Sequence, residues 1–181
     1  AVIGGYLSAG GANTINQFVD RDIDAVMGRT ERRPIVAGRI TAGRALAFGL
    51  MLVAGSVLVF GFGTTWAAAG LSLLGVVLYV FLYTLWLKRT SRQNIVIGGA
   101  AGAAPPILGW AAVTNSIEPG ALLLFLIIFI WTPPHFWALA IARKDEYAKA
   151  GIPMLPVTHG VPYTRLQVLL YTVLLVLVTL M

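Results

Sequence analysis

The chain has 181 residues, of which 58% are hydrophobic and 11% charged, against roughly 25% charged in a water-soluble domain. A mean hydropathy of +0.83 excludes a soluble globule, whose surface these few charges cannot cover, and a disordered chain, which is polar. There is no cysteine, which excludes disulfides, thiolate zinc sites, iron–sulfur clusters and cysteine catalysis. The formal charge of +6 would suit nucleic acid, but the basic residues are confined to three short stretches between apolar runs. The expected partner is therefore the lipid bilayer and not nucleic acid.

Six blocks without Asp, Glu, Lys or Arg follow one another, at 1–19, 45–63, 64–87, 93–117, 119–142 and 166–181. A helix needs about 20 apolar residues to cross the hydrocarbon core. The first five blocks are long enough or nearly so, and the sixth is cut off by the chain end. The polar–apolar alternation of membrane strands is absent. The expected fold class is therefore all-α, a polytopic transmembrane bundle of about six spans. The chain opens without methionine and stops at Met181 inside an apolar run, so residues 1–181 are expected to be one transmembrane domain truncated at both ends.

The charged loops lie at 20–44, 88–92 and 143–165, alternating with nearly neutral connections around Gly63-Thr64 and Thr114 to Pro119. All 13 basic residues and every acid except Glu118 fall in these loops, on one face of the membrane. The positive-inside rule assigns that face to the cytoplasm, or to the matrix in an organelle. Gly98-Gly99, Pro105-Pro106 and Pro133-Pro134 lie inside the spans. They read either as close packing around a cavity or as ordinary kinks, both tolerated where neighbours satisfy the backbone.

The end of the first block carries the chemistry. Asn16, Asp20 and Asp24 are spaced by four, so a continuing helix places them on one face, with Asp22 pointing away. Two carboxylates on one face repel, and at a membrane edge the conflict is sharper. A hard divalent cation such as Mg²⁺ relieves it, taking one or two carboxylates and a neutral amide oxygen. The alternative is three solvated loop charges offset by Arg21 and Arg29. Arg29, Arg32 and Arg33 follow directly, and Lys88-Arg89 ends another helix on the same face. Metal-holding acids ringed by bases are what a diphosphate needs.

These residues resemble a known family. Asn-x-x-x-Asp-x-x-x-Asp is similar to the first motif of the intramembrane (UbiA-type) prenyltransferases, although Gln17 stands where quinone-type members commonly have Asp. Further runs resemble the protoheme IX farnesyltransferase (heme O synthase) branch: Asn16 to Pro34, Tyr83-Thr84 with Leu87-Lys88-Arg89, and Asn94 to Gly99 leading to Pro105-Pro106 and Gly109-Trp110. Trp131 to Trp137 and Ala150 to Val157 complete the resemblance, which covers at least residues 13–160 in the family's order. It implies a bundle of about nine helices, of which this chain would hold roughly the second to the seventh, around a cavity open to the charged side.

The resemblance further implies transfer of a farnesyl group from farnesyl diphosphate to a vinyl group of protoheme IX (heme b, a substrate and not a cofactor). The products would be heme O and diphosphate, formed in a bacterial or mitochondrial inner membrane. Terminal-oxidase or heme A synthase machinery would be a partner. Mg²⁺ would be the cofactor, held by Asn16, Asp20 and Asp24. Asp20, Asp24 and Asp145 would be catalytic, and Arg29, Arg33, Lys88, Arg89 and Lys149 would bind the diphosphate. Quinone-type relatives carry a second Asp-x-x-x-Asp, but the matching spacing here falls on Arg143 and Tyr147, so that pair does not carry over unchanged. The resemblance, in which Lys-Asp precedes the Tyr, implies Asp145 over Glu146 as the functional acid. His135, deep in a span where polar groups are functional suspects, and Tyr147 would face the acceptor. His159 receives no role. The competing expectations are the same chemistry on a quinone precursor, and a transporter or assembly protein without catalysis. Gln17 and the missing second pair argue against the quinone reading, and the absence of charge within the blocks argues against the transporter.

Overall fold

The computed structural model describes residues 1–181; its regular structure is all helical, without strands, and residues 25–41 form a run of turns. In chain order the helices are α1 (Val2–Val19), the short α2 (Arg21–Asp24), α3 (Ala42–Gly63) and α4 (Trp66–Val77). A π-helical segment, Leu78–Leu87, and the turn α5 (Lys88–Thr90) prolong α4 without interruption. Then come α6 (Asn94–Ala103), α7 (Pro105–Thr114), α8 (Pro119–Ala142), α9 (Lys144–Lys149), α10 (Leu155–Thr158) and α11 (Gly160–Thr179).

Five of these stretches are long and apolar enough to cross a membrane: Ala42–Gly63, Trp66–Thr90, Asn94–Thr114, Pro119–Ala142 and Gly160–Thr179. Helix α1 is the sixth long helix, but Asn13, Thr14, Asn16 and Gln17 make it more polar. Only 40 of the 181 residues are buried, while Phe62, Trp66, Trp86, Leu169 and Val176 stand exposed on helix surfaces. Such an apolar exterior is unfavourable in water and suited to lipid. The chain is an integral membrane protein.

Helix ends follow local chemistry. The Thr65 hydroxyl caps α4 by accepting from the Ala68 amide at 3.1 Å, which satisfies a first-turn donor. Pro105-Pro106 opens α7, and Asn115 closes it in the left-handed region at φ 55°, as proline and asparagine favour. Block boundaries differ from expectation mainly at charges. Helix α11 begins at Gly160 instead of 166, and Arg44 lies inside the first turn of α3. A long basic side chain near a helix end can reach the interface while its stem stays apolar, so a single charge did not mark the boundary.

Close packing holds α1 on α3. A Cβ on Gly11 would lie 2.8 Å from the Gly49 carbonyl oxygen, and one on Gly49 3.2 Å from that of Gly11. Small residues are what lets two membrane helices approach in this way. Serines join α1 to both neighbours: Ser56 Oγ on α3 donates to Gly4 O at 2.8 Å, and Ser72 Oγ on α4 donates to Ser8 Oγ at 2.9 Å.

The three charged loops converge at one end of the bundle. Lys88 bonds Asp20 and Arg89 bonds Asp22, tying the second loop to the first. Arg92 Nη1 lies 3.1 Å from His159 Nε2, tying the second to the third. Beneath them Ile23, Met27, Ile95, Trp137, Met154 and Leu155 share one apolar core. Gly98 and Gly99 lie inside α6. A Cβ on Gly98 would enter the Tyr83 ring, and one on Gly99 would lie 3.1 Å from Thr132, so these glycines seat α6 between the π-helix and α8. Pro133 and Pro134 are buried inside an uninterrupted α8, where each withholds an amide proton from the carbonyl four residues earlier.

Candidate functional site

Helix α1 pauses at Asp20, whose backbone (φ −89°, ψ 10°) leaves the ideal helix. The hydrogen-bond ladder nevertheless continues: the Asp20 amide donates to Asn16 O and the Asp24 amide to Asp20 O, both at 2.8 Å. The four-residue periodicity therefore survives the pause. Asn16, Asp20 and Asp24 are all buried, at 4%, 0% and 2% exposure, and Asn16 Nδ2 donates to Asp20 Oδ2 at 2.8 Å. They are not the solvated loop charges of the alternative reading. Arg21 does not offset them either, since it donates to Phe18 O at 2.8 Å and lies 4.9 Å over the Phe18 ring.

Buried carboxylates require partners, and three cations provide them, Arg33 from the same loop and Lys88 and Arg89 from the second loop. Lys88 Nζ contacts Asp20 Oδ2, with Arg89 Nη2 at 3.5 Å from Asp20 Oδ1. Arg33 Nη1 lies 2.6 Å from Asp24 Oδ2. Arg89 makes its better bonds to the exposed Asp22, one to each carboxylate oxygen at 2.8 Å. Those bonds hold the Asp22 carboxyl down at about 2, against an ordinary 3.8.

A cavity of about 360 Å³ opens beside these pairs, within the roughly 300–1,000 Å³ of small-molecule sites. Asn16, Asp24, Arg29, Arg33, Lys88 and Tyr147 line it, so six predicted site residues share one wall system. Asp20 sits just behind, reached through Asn16 and Lys88. Burial pushes the Tyr147 phenol above its usual value, with Arg29 and Arg143 opposing the shift. Tyr147 is therefore a neutral hydrogen-bond donor at the cavity edge.

Other predicted residues stand apart. Asp145 and Lys149 on α9 are exposed and do not line the cavity, and Glu146 is held by Arg143 at 3.2 Å. His135 is exposed on α8, stacked 4.3 Å from the Trp131 ring and edge-on to Phe136. Trp131 and Phe136, not the imidazole, line the cavity. Sequence reasoning gave no role to Tyr79, Tyr83, Thr84 or Thr132. Tyr79, Tyr83 and Thr132 face the cavity, and the fully buried Thr84 accepts from Asn16 Nδ2 at 3.2 Å. The Tyr83-Thr84 pair was visible as a motif, but the wide turn that aims it was not.

Behind the polar cavity lies a second one of about 510 Å³, lined by small and apolar residues such as Ala9, Ala12, Gly75 and Leu108. The two share Tyr79 and Gly102 as walls. A charged mouth thus adjoins an apolar interior.

The donor set could hold a hard cation. Two buried carboxylates stand near an amide whose Oδ1 accepts no hydrogen bond from the protein. No cluster of three or more His, Asp or Glu side chains exists. Water and phosphate oxygens would have to complete the shell, as Mg²⁺ prefers.

Comparison with known proteins bears on this arrangement. The model of the UbiA prenyltransferase family matches residues 1–181. The chain is 56% identical to the protoheme IX farnesyltransferase of Alcanivorax borkumensis over 181 residues, all of this chain and 60% of that protein. It is 57% identical to the one from a Bradyrhizobium strain over 170 residues, 94% of this chain and 54% of that protein. With the one from a Roseiflexus strain it shares 56% identity over 170 residues, 94% of this chain and 32% of that protein. The chain thus spans between about a third and three fifths of the length of these relatives. No solved structure matches it.

Proposed function

We propose a reaction from one premise: the chain belongs to the UbiA prenyltransferase family. The reaction is farnesyl transfer from farnesyl diphosphate to a vinyl group of protoheme IX. The names of the relatives support it. The observation that carries it is the buried Asn16–Asp20–Asp24 face meeting Lys88 and Arg33 across one cavity whose interior is apolar. The charged loops face the cytoplasm, or the matrix of a mitochondrion, by the positive-inside rule.

Asn16, Asp20 and Asp24 would hold Mg²⁺, which when bound neutralises charge growing on the departing diphosphate. Arg33 and Lys88 turn from the carboxylates to the phosphate oxygens, with Arg29 beside them and Arg89 at the rim. The farnesyl C1–O bond breaks with its electron pair leaving on the diphosphate, and an allylic cation remains. The vinyl π electrons of the porphyrin form the new C–C bond to C1. Water captures the resulting cation and loses a proton, giving a hydroxyethylfarnesyl porphyrin. Tyr79, Tyr83, Trp131 and Phe136 keep bulk water from the allylic cation, which it would otherwise quench. Tyr147, rather than Asp145, is the residue of its segment presented to substrate.

The test uses the full-length protein in bilayer discs with farnesyl diphosphate, Mg²⁺ and heme b, read by mass spectrometry. Farnesylated heme that appears with Mg²⁺ and disappears with a chelator is the expected result. A farnesylated quinone precursor in place of heme, or heme product of equal yield under chelation, would overturn the acceptor or the metal respectively.

A further inference from the structure

We infer that Thr84 is a positioning residue that fixes the orientation of the Asn16 amide, and through it the oxygen offered to a cation. The inference rests on the metal reading above and adds to it a residue without cation contact.

In ordinary α-helix a threonine hydroxyl bonds the carbonyl three or four residues earlier. Thr14, Thr132 and Thr164 do so, each to the fourth. Thr84 lies in the π-helical segment Leu78–Leu87, and its Oγ1 donates to Tyr79 O, five residues earlier, at 2.8 Å. A hydroxyl has one proton, and here it is committed. Toward Asn16, Thr84 Oγ1 is therefore an acceptor only, and Asn16 Nδ2 donates to it at 3.2 Å. The other Nδ2 proton goes to Asp20 Oδ2 at 2.8 Å, a carboxylate oxygen that also only accepts.

Turning the Asn16 amide by 180° would set Oδ1 against two acceptors with no proton between them. Because Thr84 is fully buried and Asn16 is 4% exposed, water has little access to repair that clash. The amide is thus locked with its nitrogen toward Thr84 and Asp20, and Oδ1 is left without a protein donor. A relay from Tyr79 carbonyl to Thr84 hydroxyl to Asn16 amide converts the wide turn of a neighbouring helix into a fixed ligand orientation. Single π-helical stretches recur at functional sites, and partners behind a ligand set its orientation and affinity.

The experiment titrates Mn²⁺, a visible stand-in for Mg²⁺, into the full-length protein in bilayer discs and follows free Mn²⁺ by electron paramagnetic resonance. Thr84→Val keeps the shape and removes both hydrogen bonds; it should weaken Mn²⁺ binding by about tenfold. Thr84→Ser should restore binding to near the parent value. In an Asn16→Ala background, Thr84→Val should have no further effect, a non-additivity that general destabilisation would not produce. Should Thr84→Val fail to fold, Thr84→Cys, a weak donor and acceptor of similar size, takes its place. A folded Thr84→Val protein that binds Mn²⁺ as the parent does, or an undiminished loss in the Asn16→Ala background, overturns the inference. A parent protein that binds no Mn²⁺ removes the metal reading, and this inference falls with it.

Discussion

Two segments of the chain mix acids and bases, and they are built differently. In the first, around Asn16 to Arg33, Asp20 and Asp24 are 0% and 2% exposed; Asp20 is bonded to Lys88, 68 residues away, and Asp24 to Arg33, nine residues away. In the second, Arg143 to Lys149, the one ion pair is local, between Arg143 and Glu146 three residues apart, and Asp145 stands in the open. A local pair between partly exposed groups contributes little. A buried carboxylate held by a distant lysine costs desolvation and persists where the surrounding fold enforces it. The contrast supports placing the proposed chemistry at the first segment, with Tyr147 as the second segment's one residue at the cavity.

Substitutions can break this contrast. The largest effect is expected from Asp20→Asn, which keeps the shape and removes the charge behind the cavity. Steady-state turnover of farnesyl diphosphate should fall by about 10²–10³-fold, the loss typical of one preorganised electrostatic group. Retained turnover would dissolve the distinction. Arg33→Gln comes next. It takes a cation from both Asp24 and the proposed phosphates, and kcat/KM should drop by about tenfold, near the value of one charged hydrogen bond. Asp145→Ala should change turnover by no more than about twofold, as exposed substitutions do. A loss comparable with that of Asp20→Asn would return Asp145 to the catalytic set.

The smallest effect concerns Asp22. Its folded pKa, about 2, lies below the ordinary 3.8, so its bond to Arg89 adds stability that is fully present above 3.8 and is lost as pH falls toward 2. The Asp22 side chain is 61% exposed, so solvent screens most of the gain. Melting curves between pH 5 and pH 2 should show a slightly steeper fall for the parent than for Asp22→Asn. Equal slopes would mean that the Arg89 contact adds nothing.

Much of this was readable in advance, for definite reasons. Apolar blocks such as 119–142 became helix Pro119–Ala142, because a bilayer demands length and leaves the backbone no alternative to a helix. The acidic face survived in the structure because spacing by four is a property of the helix itself, and the ladder continued through the pause at Asp20. Arg33, Lys88 and Tyr147 were nominated from composition and motif, and the cavity includes all three.

What the residues could not convey is which basic group meets which acid. Lys88 and Asp20 are 68 residues apart, and only the packing of the π-helix against α1 makes them neighbours. His135 is a different case: its depth in a span marked it as a site residue, and in the structure it stacks on Trp131, which lines the cavity while the imidazole itself does not. Thr84 was a motif letter without a task until the wide turn committed its proton to Tyr79. Sequence by itself determined the helices, their charged end and the acidic face, since these follow from hydropathy and a 3.6-residue period. Tertiary structure alone decided the ion pairs, the cavity and the amide orientation, because those depend on where separate helices touch.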